Sequence, residues 1–196
     1  MNYFIDCGGH HGEGLKIFID MYNIDEKWKI YTFEPNKESF NILKDFKYKN
    51  CNIEFINAGI WKEDSKLTFN VETTSPGYGS KEDGAGSTFV KLENWNIKHP
   101  GNMGAGDYLT SYEVDVINFS NFIRNLNDVE FLLVKMDVEG VEYDILRNII
   151  NDDSISVIND LYVEFHDWAM SSEDEITTND LIKIISNKGI NIKRWI

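Results

Sequence analysis

Phe131-Leu132-Leu133-Val134-Lys135-Met136 is an apolar run interrupted only by Lys135. It is strand-length, and a strand with so few polar positions must be covered on both faces, as central strands of parallel sheets are. Parallel neighbours need crossover connections, usually helices, and the chain supplies them. Asn2–Asp6, Lys29–Phe33, Ile53–Asn57 and Leu161–Phe165 read as further strands. Between them lie helical spacings: Leu15, Phe18, Ile19 and Tyr22 after Gly12, then Phe40, Leu43 and Phe46 after Pro35-Asn36. Phe119, Phe122, Ile123 and Leu126 form another such stripe, followed by Val141, Ile145, Leu146 and Ile149. A last helix is seeded near Thr178 with Leu181, Ile184 and Ile185 inward, and 190–196 alternates like an edge strand. The expected fold is α/β: a Rossmann-like, doubly wound, mostly parallel sheet with helices on both faces.

The rhythm breaks between about Trp61 and Tyr112, where Gly77, Gly79, Gly84, Gly86, Gly101, Gly104 and Gly106 accompany Pro76 and Pro100. Leu67–Val71 reads as an edge strand there, and order resumes at Glu113–Ile117. With 196 residues in all, a single domain over 1–196 is expected, its loop-rich insertion at about 61–112 serving as a substrate lid. The 19 basic residues against 33 acidic ones give a formal charge of −14. Such a field opposes phosphate backbones, so a nucleic-acid partner is not expected. No run reaches the length of a membrane span, and the chain opens without a basic-then-apolar leader. Cys7 and Cys51 are too few for a disulfide framework. A soluble, cytoplasmic protein is expected.

Ligands of open α/β sheets bind beyond the carboxyl ends of the strands, which here carry Asp6, Glu34, Asn57, Asp137 and His166. The first loop, Asp6-Cys7-Gly8-Gly9-His10-His11-Gly12-Glu13-Gly14, is glycine-rich, but no G-x-G-x-x-G register fits it. Asp6 and Glu13 would oppose a pyrophosphate and suit a ligand with positive charge. S-adenosylmethionine, with its sulfonium and ammonium groups, is such a ligand. Glu34 ends the second strand 22 residues after Gly12, where an acid can accept from both hydroxyls of an adenosine ribose.

These residues resemble the FkbM family of S-adenosylmethionine-dependent methyltransferases. Asp6, Gly8 and Gly12 match the family's D-x-G-A-N-x-G opening, with Gly9-His10 standing in place of Ala-Asn. Phe33-Glu34-Pro35 matches F-E-P, and Asn57-Ala58-Gly59 is similar to the segment after the third strand. Lys135-Met136-Asp137-Val138-Glu139-Gly140-Val141-Glu142 matches K-I-D-V-E-G-x-E, and Glu164-Phe165-His166 resembles an E-x-H pair. Asn118-Phe119-Ser120 takes the place of the family's L-D-D-like turn. The resemblance implies a class I methyltransferase sheet, for which the C-terminus is short, or whose last strand comes from the 61–112 region. It also implies cofactor contacts from Asp6, Gly8, Gly9, His10, Gly12, Glu34, Pro35, Asn57, Ala58 and Asp137.

The expected reaction is methyl transfer to an oxygen nucleophile. The resemblance implies a hydroxyl of a sugar, glycan or related small metabolite. His166 or Asp137 is the candidate general base and Glu164 the group that orients it, a near-neutral imidazole being suited to proton removal. Asp137, Glu139, Glu164, His166 and Asp167 are compatible with a divalent metal, but the spacing does not demand one and no metal ligand is assigned. His10 and His11 are expected to shape the loop, adjacent histidines pointing in different directions. Ser87 and Thr88 resemble a small-polar segment of the family's insertion, and Tyr78, Phe89, Trp95 and Tyr108 are candidates to close over a sugar ring. Rival readings are a nicotinamide-dependent oxidoreductase and a non-catalytic nucleotide-binding domain. Oligomeric state is not legible in the sequence.

Overall fold

Covering both faces of Phe131–Met136 dictates the architecture seen in the structure, a computed structural model that describes residues 1–72, 86–90, 110–167 and 176–195. In chain order the first half runs β1 (Asn2–Cys7), α1 (Glu13–Met21), β2 (Trp28–Phe33), α2 (Lys37–Leu43), β3 (Asn52–Ile56), β4 (Gly59–Trp61) and β5 (Ser65–Val71). The second half runs β6 (Thr110–Asn118), α3 (Phe119–Arg124), β7 (Phe131–Met136), α4 (Glu142–Asn151), β8 (Asp160–Val163), α5 (Thr178–Asn187) and β9 (Asn191–Arg194). A short 3₁₀ turn, Ser154–Val157, joins α4 to β8.

Six strands form one sheet in the order β3-β2-β1-β7-β8-β9, and every pairing in it is parallel. The order reverses between β1 and β7, which makes that junction the sheet's switch point. Alternation along the two central strands separates two cores. Phe4 and Leu133 point to the side covered by Leu15, Phe18 and Ile19 of α1 and Leu43 of α2. Ile5, Val134 and Met136 point to the other, covered by Phe119 and Ile123 of α3, Ile145, Leu146 and Ile149 of α4 and Ile185 of α5.

The helix starts follow local chemistry. Asn36 accepts from the backbone N–H groups of Glu38 and Ser39 ahead of α2, and Thr177 forms a reciprocal capping box with Asp180 ahead of α5. Phe46 lies beyond α2 rather than on it, its ring against the Gly12 turn. Phe165 likewise falls after β8.

Among its described residues, the 61–112 region does not supply a last strand to the main sheet, contrary to one of the two expectations. β4, β5 and β6 instead form their own sheet in the order β4-β6-β5, with β4 parallel and β5 antiparallel to β6. Ile60 of β4 nonetheless belongs to the same core as β7, so the small sheet is seated on the large one. Among the described residues, no helix is long and apolar enough to cross a membrane.

Candidate functional site

A cavity of about 400 Å³ opens at the carboxyl ends of β1, β2, β7 and β8, where the switch point splays the following loops apart. Gly8, with φ +84°, brings the β1–α1 loop so close to the residue after β7 that a Cβ would lie 1.9 Å from the Asp137 carbonyl oxygen. Only glycine fits there. Gly12, at φ +96°, turns the same loop into α1, where a Cβ would meet the Phe46 ring. The N–H groups of Gly8 and Gly9 both donate to the Phe33 carbonyl at 3.0 Å, which fastens the loop to the end of β2.

Glu34 is held from three directions. Its Oε2 accepts from the His10 N–H at 2.8 Å and its Oε1 from the Asn36 N–H at 2.7 Å. Asn57 donates its side-chain amide to the Glu34 carbonyl at 2.8 Å. Burial pushes the Glu34 carboxyl up to about 7, against the pull of the Asn36 and His10 N–H groups. Each carboxylate oxygen has a second acceptor site, so this cavity-lining group retains capacity for two further donors.

The His10 and His11 rings stack at 3.8 Å, 19° from parallel, which corrects the expectation that they diverge. Donor atoms of His10, His11 and Glu13 lie within 4.8 Å of one another.

Beneath the loop sits a buried ion cluster that sequence reasoning missed. Lys135 is 3% exposed and Asp6 fully buried. The ammonium is 3.3 Å from Asp6 Oδ1 and 3.2 Å from Asp137 Oδ2, and it donates to the Gly8 carbonyl at 2.6 Å. Thr32 donates to Asp6 Oδ2 at 3.1 Å. Burial pulls the Lys135 ammonium down, but Asp6 and Asp137 outweigh it and hold the group above its ordinary range. Burial pushes the Asp6 carboxyl up, with Lys135 pulling it back. Asp6 therefore does not face the cavity as expected; its charge is balanced inside the protein. The signal was present in the sequence: a charged residue within an otherwise apolar central strand requires a partner.

The turn after β7 carries a second ion cluster. Glu142, fully buried in the first turn of α4, accepts from the Gly140 N–H at 2.8 Å and from the His166 N–H at 2.7 Å. Its Oε1 is also 2.6 Å from His166 Nδ1, while His166 Nε2 is 3.2 Å from Glu139 Oε2. Both ring nitrogens therefore face a carboxylate oxygen, which favours the ring that carries both protons. Burial pulls the ring down, but Glu139 and Glu142 overcome it and push the ring up to about 11. His166 is thus held between two carboxylates, a setting that favours the imidazolium over the free base that a proton acceptor requires. Donor atoms of Asp137, Glu139 and His166 also lie within 4.8 Å of one another. Asp167 accepts from Tyr143 at 2.7 Å and from Thr178 at 2.6 Å, anchoring α5.

Of the expected site residues, Gly8, Gly9, His10, Glu34, Pro35, Asp137 and Glu164 line the cavity. Asp6, Gly12, Asn57, Ala58 and His166 are not among the lining residues; Asp6, Asn57 and His166 instead brace groups that are. The apolar walls come from Phe33, Ile60, Phe69, Phe89, Val138 and Trp195. Ile60, Phe69 and Trp195 went unrecognised because they arrive from the small sheet and from beyond β9. Ser87 also lines the cavity, whereas Tyr78, Trp95 and Tyr108 lie outside the described residues.

Two consequences can be measured. Lys135→Met leaves Asp6 buried without its cation and is expected to cost about 3–5 kcal/mol. Asp6→Asn added to it restores part of that loss in urea unfolding. For His166 the native ring titrates near 11 against an unfolded value of 6.5, so its stabilisation is complete below pH 6.5 and is lost as pH rises towards 11. Wild type should lose stability relative to His166→Asn by up to about 1.4 kcal/mol per pH unit over that window. Parallel slopes for the two proteins would disprove the clamp.

Comparison with known proteins bears on this arrangement. No curated protein matches the chain. A solved structure, methyltransferase FkbM from Methylobacillus flagellatus KT, superposes with a TM-score of 0.51 at 16% identity, over 95% of this chain and 38% of that one. The chain thus spans well under half the length of that protein, and at this identity the likeness is one of fold. The methyltransferase FkbM domain model matches residues 6–190, nearly the whole chain and the carboxyl ends of β1, β2, β7 and β8, so the chain belongs to the FkbM methyltransferase domain family.

Proposed function

We propose that the cavity binds S-adenosylmethionine and that the protein methylates a hydroxyl of a sugar, glycan or related small metabolite. The observation that carries this reading is Glu34, a buried carboxylate fixed by two backbone N–H groups at the cavity wall. That is the acceptor arrangement a ribose diol requires. Family membership supports methyl transfer as the chemistry.

When bound, S-adenosylmethionine supplies a methyl group already activated on a sulfonium. Glu34 and Pro35 would hold its nucleoside, with Phe33 and Val138 as apolar walls. Gly8, Gly9, His10 and Asp137 would surround the methionine end. Asp137, kept in place by Lys135, offers negative charge to a cationic ligand. The protein's main task is then alignment and exclusion of water, which can supply about 7–11 kcal/mol.

The acceptor proton needs a destination, and His166 holds its own protons too firmly to provide one. Glu164 lines the cavity, and burial together with Asp137 pushes its carboxyl up from the ordinary range. We assign it the general base, a role expected to contribute about 10²–10⁴-fold in rate. Ser87 and Phe89, from the insertion, line the cavity, which supports reading that segment as a lid for a small acceptor. The charge of −14 accords with an acceptor that is neither nucleic acid nor an anionic membrane surface. Cys7 is buried and Cys51 half-buried, both as free thiols, which accords with a reducing, cytoplasmic setting.

A thermal-shift panel tests the binding reading. S-adenosylhomocysteine is expected to raise the melting temperature, and NAD and ATP are not; a shift with NAD alone would instead favour the oxidoreductase. Affinity should fall as pH drops below about 7, where Glu34 takes up a proton and one of its oxygens becomes a donor. Glu34→Gln should bind weakly, without that dependence. Glu164→Gln is expected to reduce labelled methyl transfer across an oligosaccharide panel at least 100-fold, on the order set by general-base catalysis, with S-adenosylhomocysteine binding intact.

A further inference from the structure

Residues 86–90 are fastened to two elements at once. Towards β5, Asn70 and Thr88 exchange backbone N–H···O bonds of 2.9 Å in both directions. Asn70 also donates its side-chain amide to the Val90 carbonyl at 3.0 Å. The Glu72 N–H donates to Ser87 Oγ at 3.0 Å, and the Gly86 N–H donates to Glu72 Oε2 at 2.9 Å. Towards β7, the Thr88 hydroxyl donates to the Glu139 carbonyl while accepting from the Val90 N–H at 3.0 Å. Thr88 is fully buried, so its hydroxyl has been withdrawn from water to make these bonds.

The acceptor of that bond is unusual. Glu139 has φ +52° and Gly140 follows at φ +101°. A left-handed backbone is uncommon for a residue with a long side chain and persists only where its surroundings hold it. This turn leads from Asp137 to Glu142 and aims the Glu139 carboxylate at His166 Nε2.

We infer that Thr88 is a positioning residue: its hydroxyl holds the Glu139 turn in its left-handed form, so that the strap over the cavity and the carboxylates on its floor keep one register. The consequence for rate rests on the methyl-transfer reading above, but the geometric claim does not. Without the hydroxyl, the Glu139 carbonyl loses this bond, the backbone relaxes towards the conformations glutamate prefers, and the side chain leaves His166.

The test reads the His166 ring directly. The chain has four histidines, so imidazole NMR signals can be resolved, and His166→Asn assigns the one in question. Among the described residues, the groups facing the ring include Glu139 from the turn, Glu142 from α4, and Glu164 and Asp167 from its own segment. In Thr88→Val the ring should titrate at least about one pH unit lower than in wild type, the scale of losing one adjacent carboxylate. Glu139→Gln should shift it in the same direction, and Thr88→Ser, which keeps the hydroxyl, should track wild type. Thr88→Ala gives the same comparison if the valine variant does not fold. A folded Thr88→Val or Thr88→Ala protein with a wild-type ring titration would overturn the inference, as would a Thr88→Ser protein resembling valine. A shifted ring in a chain that transfers no methyl group, wild type included, would uphold the positioning role and reject the functional reading instead.

Discussion

The Lys135 ammonium, buried in the central strand, is the constraint on which the site depends. Carrying a cation into the core of a parallel sheet is unfavourable unless carboxylates meet it with good geometry. Asp6 from the neighbouring strand and Asp137 from the strand's own end do so. The Gly8 carbonyl provides a third contact. One charged group therefore joins the end of β1, the glycine loop and the residue after β7, the three pieces that border the switch-point cavity. The position of Asp137 follows from this demand for charge balance.

Environment then divides the surrounding acids into different tasks. Asp6 and Glu142 are wholly buried and balance internal cations or N–H groups. Glu34 sits at the wall with a pKa near 7 because burial works against its two N–H donors. Glu164, less enclosed, is raised by burial and by Asp137. His166, between Glu139 and Glu142, becomes a fixed cation. A list of polar residues at strand ends does not distinguish these roles, since each depends on which charges lie within a few ångströms and on how much water remains.

Much of the fold was legible because it rests on short-range pattern. The period of apolar residues identified β1, β2, β3, β7, α1 and α4, and the apolar run at Phe131–Met136 marked the centre of a parallel sheet. The Asp6–Gly12 loop, Glu34 and Asp137 could be placed at the site because parallel strands bring their carboxyl ends to one edge. The small sheet was not legible as a unit: Leu67–Val71 and Glu113–Ile117 read as strands, but pairing across the long segment between Val71 and Thr110 leaves no local trace. Its contributions to the cavity, Ile60 and Phe69, were missed for the same reason.

By itself, then, the sequence determined the parallel α/β architecture, the edge at which the cavity opens and the family to which the chain belongs, all of which depend on periodicity and local spacing. Only the tertiary structure decided which charged groups face one another. Asp6 turned inward to Lys135, His166 was locked between two glutamates, and Thr88 was brought to a turn 51 residues away. Ionisation and hydrogen bonding depend on distances of a few ångströms between residues remote in the chain, and those distances exist only once the sheet has assembled.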